Sequence, residues 1–511
     1  MSKKLPIFYS ALLLTAVNLF LRMTGTSFQV YLSARIGASG IGLMQLIMTV
    51  GGLAMVAGMA GIRTSTMYLA AEELGKQQPG NTRWVLSACF LYTILCSGLV
   101  AATLYCFAPY IAKNWIGDLQ TAAVLRLYAA MIPVFCLCGV MTGYFTAANR
   151  IGTLAVIEVI EQLCSMTVTV ISLALWAGTD AKRACQCIIL GNGFGVSLTL
   201  ISLIILHIRE GIPRSPSLAT GKRLVSTAVP LAIADVFKAG INTGENLMVP
   251  KQLRKNADTK DPLASFGLVS GMVFPVLMFP ACILYALAEL LIPELARCNA
   301  AGSASRIRYL VQRGLKVTLL YGLLFGGLMF LLSETLCLKL YSNHTAARHL
   351  RMYAPLIPVL YCDAVVDAMI KGLGQQKVCV QYNILTSALD VLFLFLLLPY
   401  YGMEGYYVSF LITHLINFTL SLHRLIKITN ISVPLYIPVF SIASTVIAVA
   451  GSSGFHGCMP KCVVFISLLG AMLTLFQIVV KEDICWVSGL LKTKSNTSHK
   501  ESDLKFRLQE N

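Results

Sequence analysis

The polar residues of this chain that could do chemistry stand where they are costly to keep. Asn18, Arg22, Gly25 and Gln29 follow one another at spacings of four, three and four inside one apolar block. Asp235, Lys238, Asn242 and Glu245 follow at three, four and three inside another. At about 100° per residue the first set falls within an arc of about 60° and the second within about 80°, so each is one polar stripe of an α-helix. Aligning Arg22 with Lys238 sets Gln29 against Glu245. An ionisable side chain deep in a membrane helix costs about 2.5–3.5 kcal/mol even on lenient scales. Two such stripes suit a polar cavity in which a guanidinium and an ammonium hold an anion while amides bind hydroxyls. The structural alternative pairs Asp235 with Lys238 one turn away and lets Arg22 extend along its helix toward water. That alternative accounts for the second stripe, but not for its match in the first.

The remaining buried charges carry weaker arguments. Asp390 sits in the middle of an apolar block without a sequence-local partner, and with Glu245 it is a candidate for binding a coupling proton or sodium ion. Asp363, Asp367 and Lys371 form an i, i+4, i+8 ladder that can neutralise itself. Glu158 and Glu161 read as solvated or capping residues near a cytoplasmic helix end. Sixteen cysteines fall mostly within apolar blocks, where a cysteine behaves as a small hydrophobe. With no C-x-x-C pair and no Cys/His cluster of zinc spacing, neither disulfide nor metal is expected. No phosphate-binding loop occurs, so no cofactor is expected beyond a coupling ion.

The elements that must position these residues are membrane spans. Of 511 residues 57% are hydrophobic and only 12% charged, with mean hydropathy +0.74. That composition excludes a secreted enzyme, a nucleic-acid-binding module and a disordered scaffold. Fourteen blocks are long enough to cross a bilayer, from 5–32 to 461–480. The first is too long for a signal peptide and reads as a span that stays attached. With the N-terminus inside, 25 Lys and Arg residues fall on the cytoplasmic side and 13 outside. This predicts both termini in the cytoplasm of a plasma-membrane protein.

The chain also repeats itself. RLYAAMIPV (126–134) returns as RMYAPLIPV (351–359), IGLMQLIMTV (41–50) echoes in FGLVSGMVFPV (266–276), and Glu73-Leu74 echoes in Glu294-Leu295. Six spans per copy make the repeats parallel. The expected organisation is an N-lobe over 1–210, a cytoplasmic linker over 211–221, a C-lobe over 222–430, two further spans over 431–487, and a polar cytoplasmic tail over 488–511. The expected fold is an all-α integral membrane protein of about fourteen transmembrane helices.

This arrangement resembles the multidrug/oligosaccharidyl-lipid/polysaccharide exporter superfamily, and the fold it implies is MATE-like. SARIGASGIGLMQL (33–46) and GYFTAANRIGTLAVIEVIEQL (143–163) resemble the turns of its polysaccharide-exporter branch between spans 1 and 2 and between spans 4 and 5. In the superfamily's lipid II flippases the first span carries arginine-x-x-glycine-phenylalanine-x-arginine-aspartate. Arg22 and Gly25 match its start, whereas Thr26, Phe28 and Gln29 stand at the other three signature positions. The resemblance implies a transporter, not an enzyme. It would flip a polyprenyl-pyrophosphate-linked saccharide, such as a peptidoglycan precursor or other polysaccharide unit, by alternating access. Spore cortex is one destination, and cell-wall synthesis enzymes are possible partners. Arg22 and Lys238 would face the headgroup from opposite lobes, with Asn18, Gln29 and Asn242 on sugar hydroxyls and Glu245 as the sixth substrate-binding residue. A cation-coupled multidrug antiporter is the alternative that would prefer an acidic cavity. A membrane glycosyl polymerase or ligase would need a larger outer loop than any present, and a wall-synthesis scaffold is a third reading.

Overall fold

The computed structural model describes residues 7–75, 79–148, 150–177, 180–209, 220–257, 259–432, 434–455 and 457–478. The expected tail over 488–511 and most of the linker over 211–221 lie outside the described residues. Within them every regular element is helical. Lipid cannot satisfy backbone N–H and C=O groups, so a chain this apolar must bond them internally, turn by turn.

The order is α1 (Ile7–Met59), α2 (Ile62–Gly75), α3 (Pro79–Ile111), α4 (Ala122–Ala147), α5 (Ile151–Ser172) and α6 (Ala181–Arg209). The second half follows with α7 (Thr220–Leu253), α8 (Pro262–Gly267), α9 (Phe274–Met278), α10 (Ala281–Ala300), α11 (Ala304–Tyr341), α12 (His344–Tyr353) and α13 (Ile357–Gly372). It ends with α14 (Gln376–Thr429), α15 (Tyr436–Ser453) and α16 (Cys458–Leu475). Among the described residues ten helical segments are long and apolar enough to cross a membrane.

Two of those segments are each a pair of spans. A straight helix as long as α1 or α14 would reach about 80 Å, against a hydrocarbon core of about 30 Å. Non-helical backbone at Gly37 (φ 68°) divides α1, and at Gly402 (φ 54°) it divides α14. Left-handed backbone is cheap only for glycine. At the second turn Asn256 Nδ2 donates to the carbonyls of Pro399 (3.2 Å) and Tyr400 (3.3 Å), which the turn leaves without helical donors. Two expected spans fall outside the ten. α7 is polar because it carries the second stripe, and the stretch from α8 to α10 is broken.

Between α8 and α9, residues Leu268–Val273 form a π-helical turn, and Pro275 and Pro280 follow within seven residues. Carbonyls freed this way need outside donors. Gln29 Nε2 supplies Gly271 O at 3.1 Å, and Tyr341 OH supplies Met272 O at 3.1 Å. Tyr361 OH reaches Leu277 O at 2.8 Å, and Tyr321 OH reaches Pro280 O at 2.7 Å. This stretch from α8 to α10, span 8 of the fourteen expected (263–296), is thus held by tyrosines of α11 and α13 and by one amide of α1.

The repeated nonapeptide occupies equivalent positions. Arg126 lies over the ring of Tyr105 at 5.2 Å, and Arg351 over the ring of Phe330 at 4.7 Å. Each ring stands 21 residues before its arginine. Tyr128 and Tyr353, two residues after each arginine, are both buried.

The halves meet along α1. A β-carbon on Gly42 would fall 2.2 Å from Leu263 O, and one on Gly267 would fall 2.1 Å from Ala38 O. This places the backbones of α1 and α8 in direct contact at the end where Gly37 turns. Gly117, in the α3–α4 connection, approaches the Arg254 guanidinium at the same end.

Candidate functional site

A cavity of about 320 Å³ lies among α7, α13 and both arms of α14. α7 contributes Asn242, Glu245, Asn246 and Val249, which share one helix face. The first arm of α14 contributes Asn383, Thr386, Ser387, Asp390 and Leu394, again one face. α13 supplies Asp363, and the second arm of α14 supplies Tyr406, Phe410, Thr413, His414 and Asn417. Three carboxylates therefore line the space, and no lysine or arginine does.

The walls are braced by hydrogen bonds. Ser409 Oγ donates to Asp390 Oδ1 at 2.6 Å and Thr413 Oγ1 to the same oxygen at 3.4 Å. Asn417 Nδ2 donates to both oxygens of Asp363 at 3.0 Å, and Ser421 Oγ to Asp367 Oδ1 at 3.2 Å. Both contacts between α13 and α14 span 54 residues, so they form two rungs in one register. Asn383 Nδ2 adds a third bond, to Asp367 Oδ2 at 3.2 Å. The ladder of Asp363, Asp367 and Lys371 is thus not merely self-neutralising, because its acids are bonded across to the neighbouring helices. His414 Nδ1 donates to Phe410 O at 2.9 Å, and its ring lies 3.9 Å from that of Phe410.

Two buried acceptors, Glu245 Oε1 and Asn417 Oδ1, have no hydrogen-bond partner. Acceptor oxygens left over beside two ionisable carboxylates suit a cation or a proton, since an anion would only add repulsion.

Of the six residues expected to bind substrate, Asn242 and Glu245 line this cavity, as does the coupling candidate Asp390. The other four do not. Asn18 is exposed on α1. Arg22 stands at the seam between the halves, its guanidinium 4.9 Å from the ring centroid of Tyr285 on α10. Gln29 is engaged by the Gly271 carbonyl of broken span 8. Lys238 is exposed on α7, one turn before Asn242 on the same face, and among the described residues no ion pair joins it to Asp235.

α5 fixes the arm that carries Arg22. Gln162 Nε2 donates to Leu21 O at 2.9 Å and to Thr24 Oγ1 at 3.2 Å. A β-carbon on Gly25 would touch that same amide at 3.4 Å. Gly25 therefore belongs to the α1–α5 contact. Glu161, read from sequence as solvated or capping, accepts a bond from Thr199 Oγ1 at 2.6 Å. Its partner is the neighbouring span α6, not a helix end.

The sequence reading passed over Asn246, Ser387, Thr413, His414 and Asn417. A signal was present: Ser409, Thr413, Asn417 and Ser421 recur every four residues and are all buried. Such a stripe of small polar residues in a membrane span marks a packed interface or an internal site.

The family model for polysaccharide biosynthesis protein matches residues 8–299, and the MatE model matches residues 258–396. Stage V sporulation protein B of Bacillus subtilis (strain 168) is 20% identical over 454 residues, which is 86% of this chain and 87% of that protein. The solved lipid II flippase MurJ, in an inward closed conformation, superposes with TM-score 0.72 at 13% identity, covering 91% of this chain and 98% of the flippase. An inward-facing multidrug resistance transporter of the MATE family superposes with TM-score 0.65 at 12% identity, covering 83% of this chain and all of that one. The all-α, MATE-like fold expected from the sequence is the fold observed.

Proposed function

Because this chain belongs to the polysaccharide biosynthesis protein family, we propose that it flips a lipid-linked saccharide with an anionic pyrophosphate headgroup across the plasma membrane by alternating access. The observation that carries the reading is the separation of charges. The acids are gathered in the cavity of the second half, whereas Arg22 stands at the seam against Tyr285. A pyrophosphate would be repelled by Glu245, Asp363 and Asp390. Arg22 at the seam and the exposed Lys238 on α7 are the cations that could make charge-assisted bonds to phosphate oxygens. The acid cavity is then the place for a coupling ion, proton or sodium, with Glu245 and Asp390 as its carboxylates.

Contact between α1 and α8 supports a state closed at the Gly37 end, and rocking of the halves about the seam would open it. Fourteen crossings with both termini cytoplasmic follow in this reading, and they place the Gly37 end outside. The relative in Bacillus subtilis is named for a stage of sporulation, and we place this chain in the same setting, supplying a peptidoglycan precursor or related unit to wall-synthesis enzymes. The test is a comparison of lipid-linked saccharides in cells with and without the protein. Accumulation of one such lipid in the deletion strain supports the proposal, and unchanged lipid pools refute it.

The acid-lined cavity also favours a second reading, a cation-coupled antiporter of cationic drugs. That reading requires increased susceptibility of the deletion strain to cationic apolar compounds with no change in lipid-linked saccharides.

A further inference from the structure

A second cavity, of about 460 Å³, opens on the first half, where α3 gives way to α4 and α5 to α6. It shares no lining residue with the acid site. Its walls are graded. Arg126, about 6 Å along α4 from its first residue, and Gln186 supply the polar groups, while Leu127 and Leu190 line the apolar part. Tyr105 and Trp176 flank it and are 52% and 58% exposed. Aromatic rings of this kind collect where hydrocarbon meets headgroups.

Arg126 differs from the two cations that open α6. Lys182 is neutralised by Asp118 at 2.9 Å, and Arg183 lies 3.7 Å from Asp180. Arg126 has the Tyr105 ring, but among the described residues no carboxylate lies within ion-pair distance. At headgroup depth an exposed guanidinium of this kind is open to an anionic headgroup, which supplies the missing counter-charge.

The repeat shows how the same surface is treated when it is covered. Shifting by 225 residues sets Arg126 on Arg351, Tyr105 on Phe330 and Ala102 on Gly327. In the second half Gly327 is buried beneath the ring of Phe465, where a β-carbon would come within 2.3 Å, because α16 lies against α11. In the first half the equivalent Ala102 is exposed. The chain supplies its own cover to one copy of this surface and leaves the other amphipathic and uncovered.

We propose that the α3–α6 groove binds an anionic phospholipid, its phosphate on Arg126 and Gln186 and an acyl chain along Leu127 and Leu190. The guanidinium makes two parallel bonds to phosphate oxygens, and the rings of Tyr105 and Trp176 mark the depth of the headgroup. A lipid seated there would brace the four helices of this end as α16 braces α11.

The test uses the purified full-length protein in detergent, titrated with phosphatidylglycerol or phosphatidylcholine and followed by native mass spectrometry and thermal unfolding. Phosphatidylglycerol is expected to be retained and to raise the unfolding temperature, and phosphatidylcholine to do so much less. Arg126→Gln should weaken phosphatidylglycerol retention at least tenfold, and Arg126→Lys should restore part of it. Leu190→Trp fills the groove and should also release the lipid with Arg126 intact. Arg351→Gln removes the repeat-related arginine–ring contact and should leave retention unchanged. Equal effects of Arg126→Gln and Arg351→Gln would overturn the proposal, as would equal retention of the two lipids. So would reproduction of the thermal shift by inorganic phosphate alone, or a dimer that forms through this face in place of lipid binding.

Discussion

A β-carbon placed on Gly267 would lie 2.7 Å from the α-carbon of Gly42, so α1 and α8 meet there backbone against backbone. Nothing larger than hydrogen fits between them. Gly42→Val therefore opposes the closed arrangement. Overpacking of this kind costs about 1–3 kcal/mol, enough to shift a two-state balance by about 5- to 150-fold. Hydrogen–deuterium exchange over 36–44 and 262–268 should rise while transport falls. Unchanged exchange would mean that this contact does not close the molecule.

Arg22 and Lys238 give the sharpest chemical test. Arg22→Ala or Lys238→Ala should abolish flipping of a lipid-linked saccharide in vesicles while the protein remains in the membrane. Arg22→Lys should keep only part of the activity, because an ammonium cannot make a planar two-bond contact with phosphate. Normal transport by the double alanine variant would leave both cations as structural residues.

Coupling is tested at the carboxylates. Asp390→Asn keeps its bonding shape toward Ser409 while losing the charge, and Glu245→Gln removes the other candidate charge from the same cavity. Either change should lower transport under an imposed proton or sodium gradient with expression and folding near normal. Wild-type rates in both variants would show that neither carboxylate carries the ion.

Gln29 separates two roles. If its amide serves the broken helix, Gln29→Ala leaves the Gly271 carbonyl without this donor and costs about 1–3 kcal/mol of stability. The unfolding temperature should drop while the concentration dependence of transport stays the same. A raised KM at unchanged stability would instead assign Gln29 to saccharide hydroxyls.

Topology is accessible in the α7–α8 connection. Leu253 is fully buried and unsuitable for labelling, whereas Ala257 is exposed. A cysteine at 257, with exposed Cys106 and Cys458 replaced by serine, should react with a membrane-impermeant reagent from outside intact cells. Reaction only in inverted vesicles would reverse the orientation.

The stripe on α7 was readable without coordinates, because lipid penalises every misplaced polar group and leaves a periodic trace. Asn242 and Glu245 do share a face, and Asp390, conspicuous for lacking a local partner, does open onto the same space. Membrane spans and the repeated nonapeptide were legible for the same reason, since both are written in short windows of sequence. What those windows do not contain is the partner. Asp363 and Asp367 read as a ladder closed on Lys371, whereas α14 also brings Asn417 and Ser421 alongside, each 54 residues away. Gln29 read as a cavity amide, and only the fold shows that a π-helical turn 242 residues on presents a carbonyl to its side chain. Hydropathy and helical period report how a residue meets its own helix and the lipid. The cavity's place in the second half depends on which helices pack together, and that is decided by contacts no local pattern records.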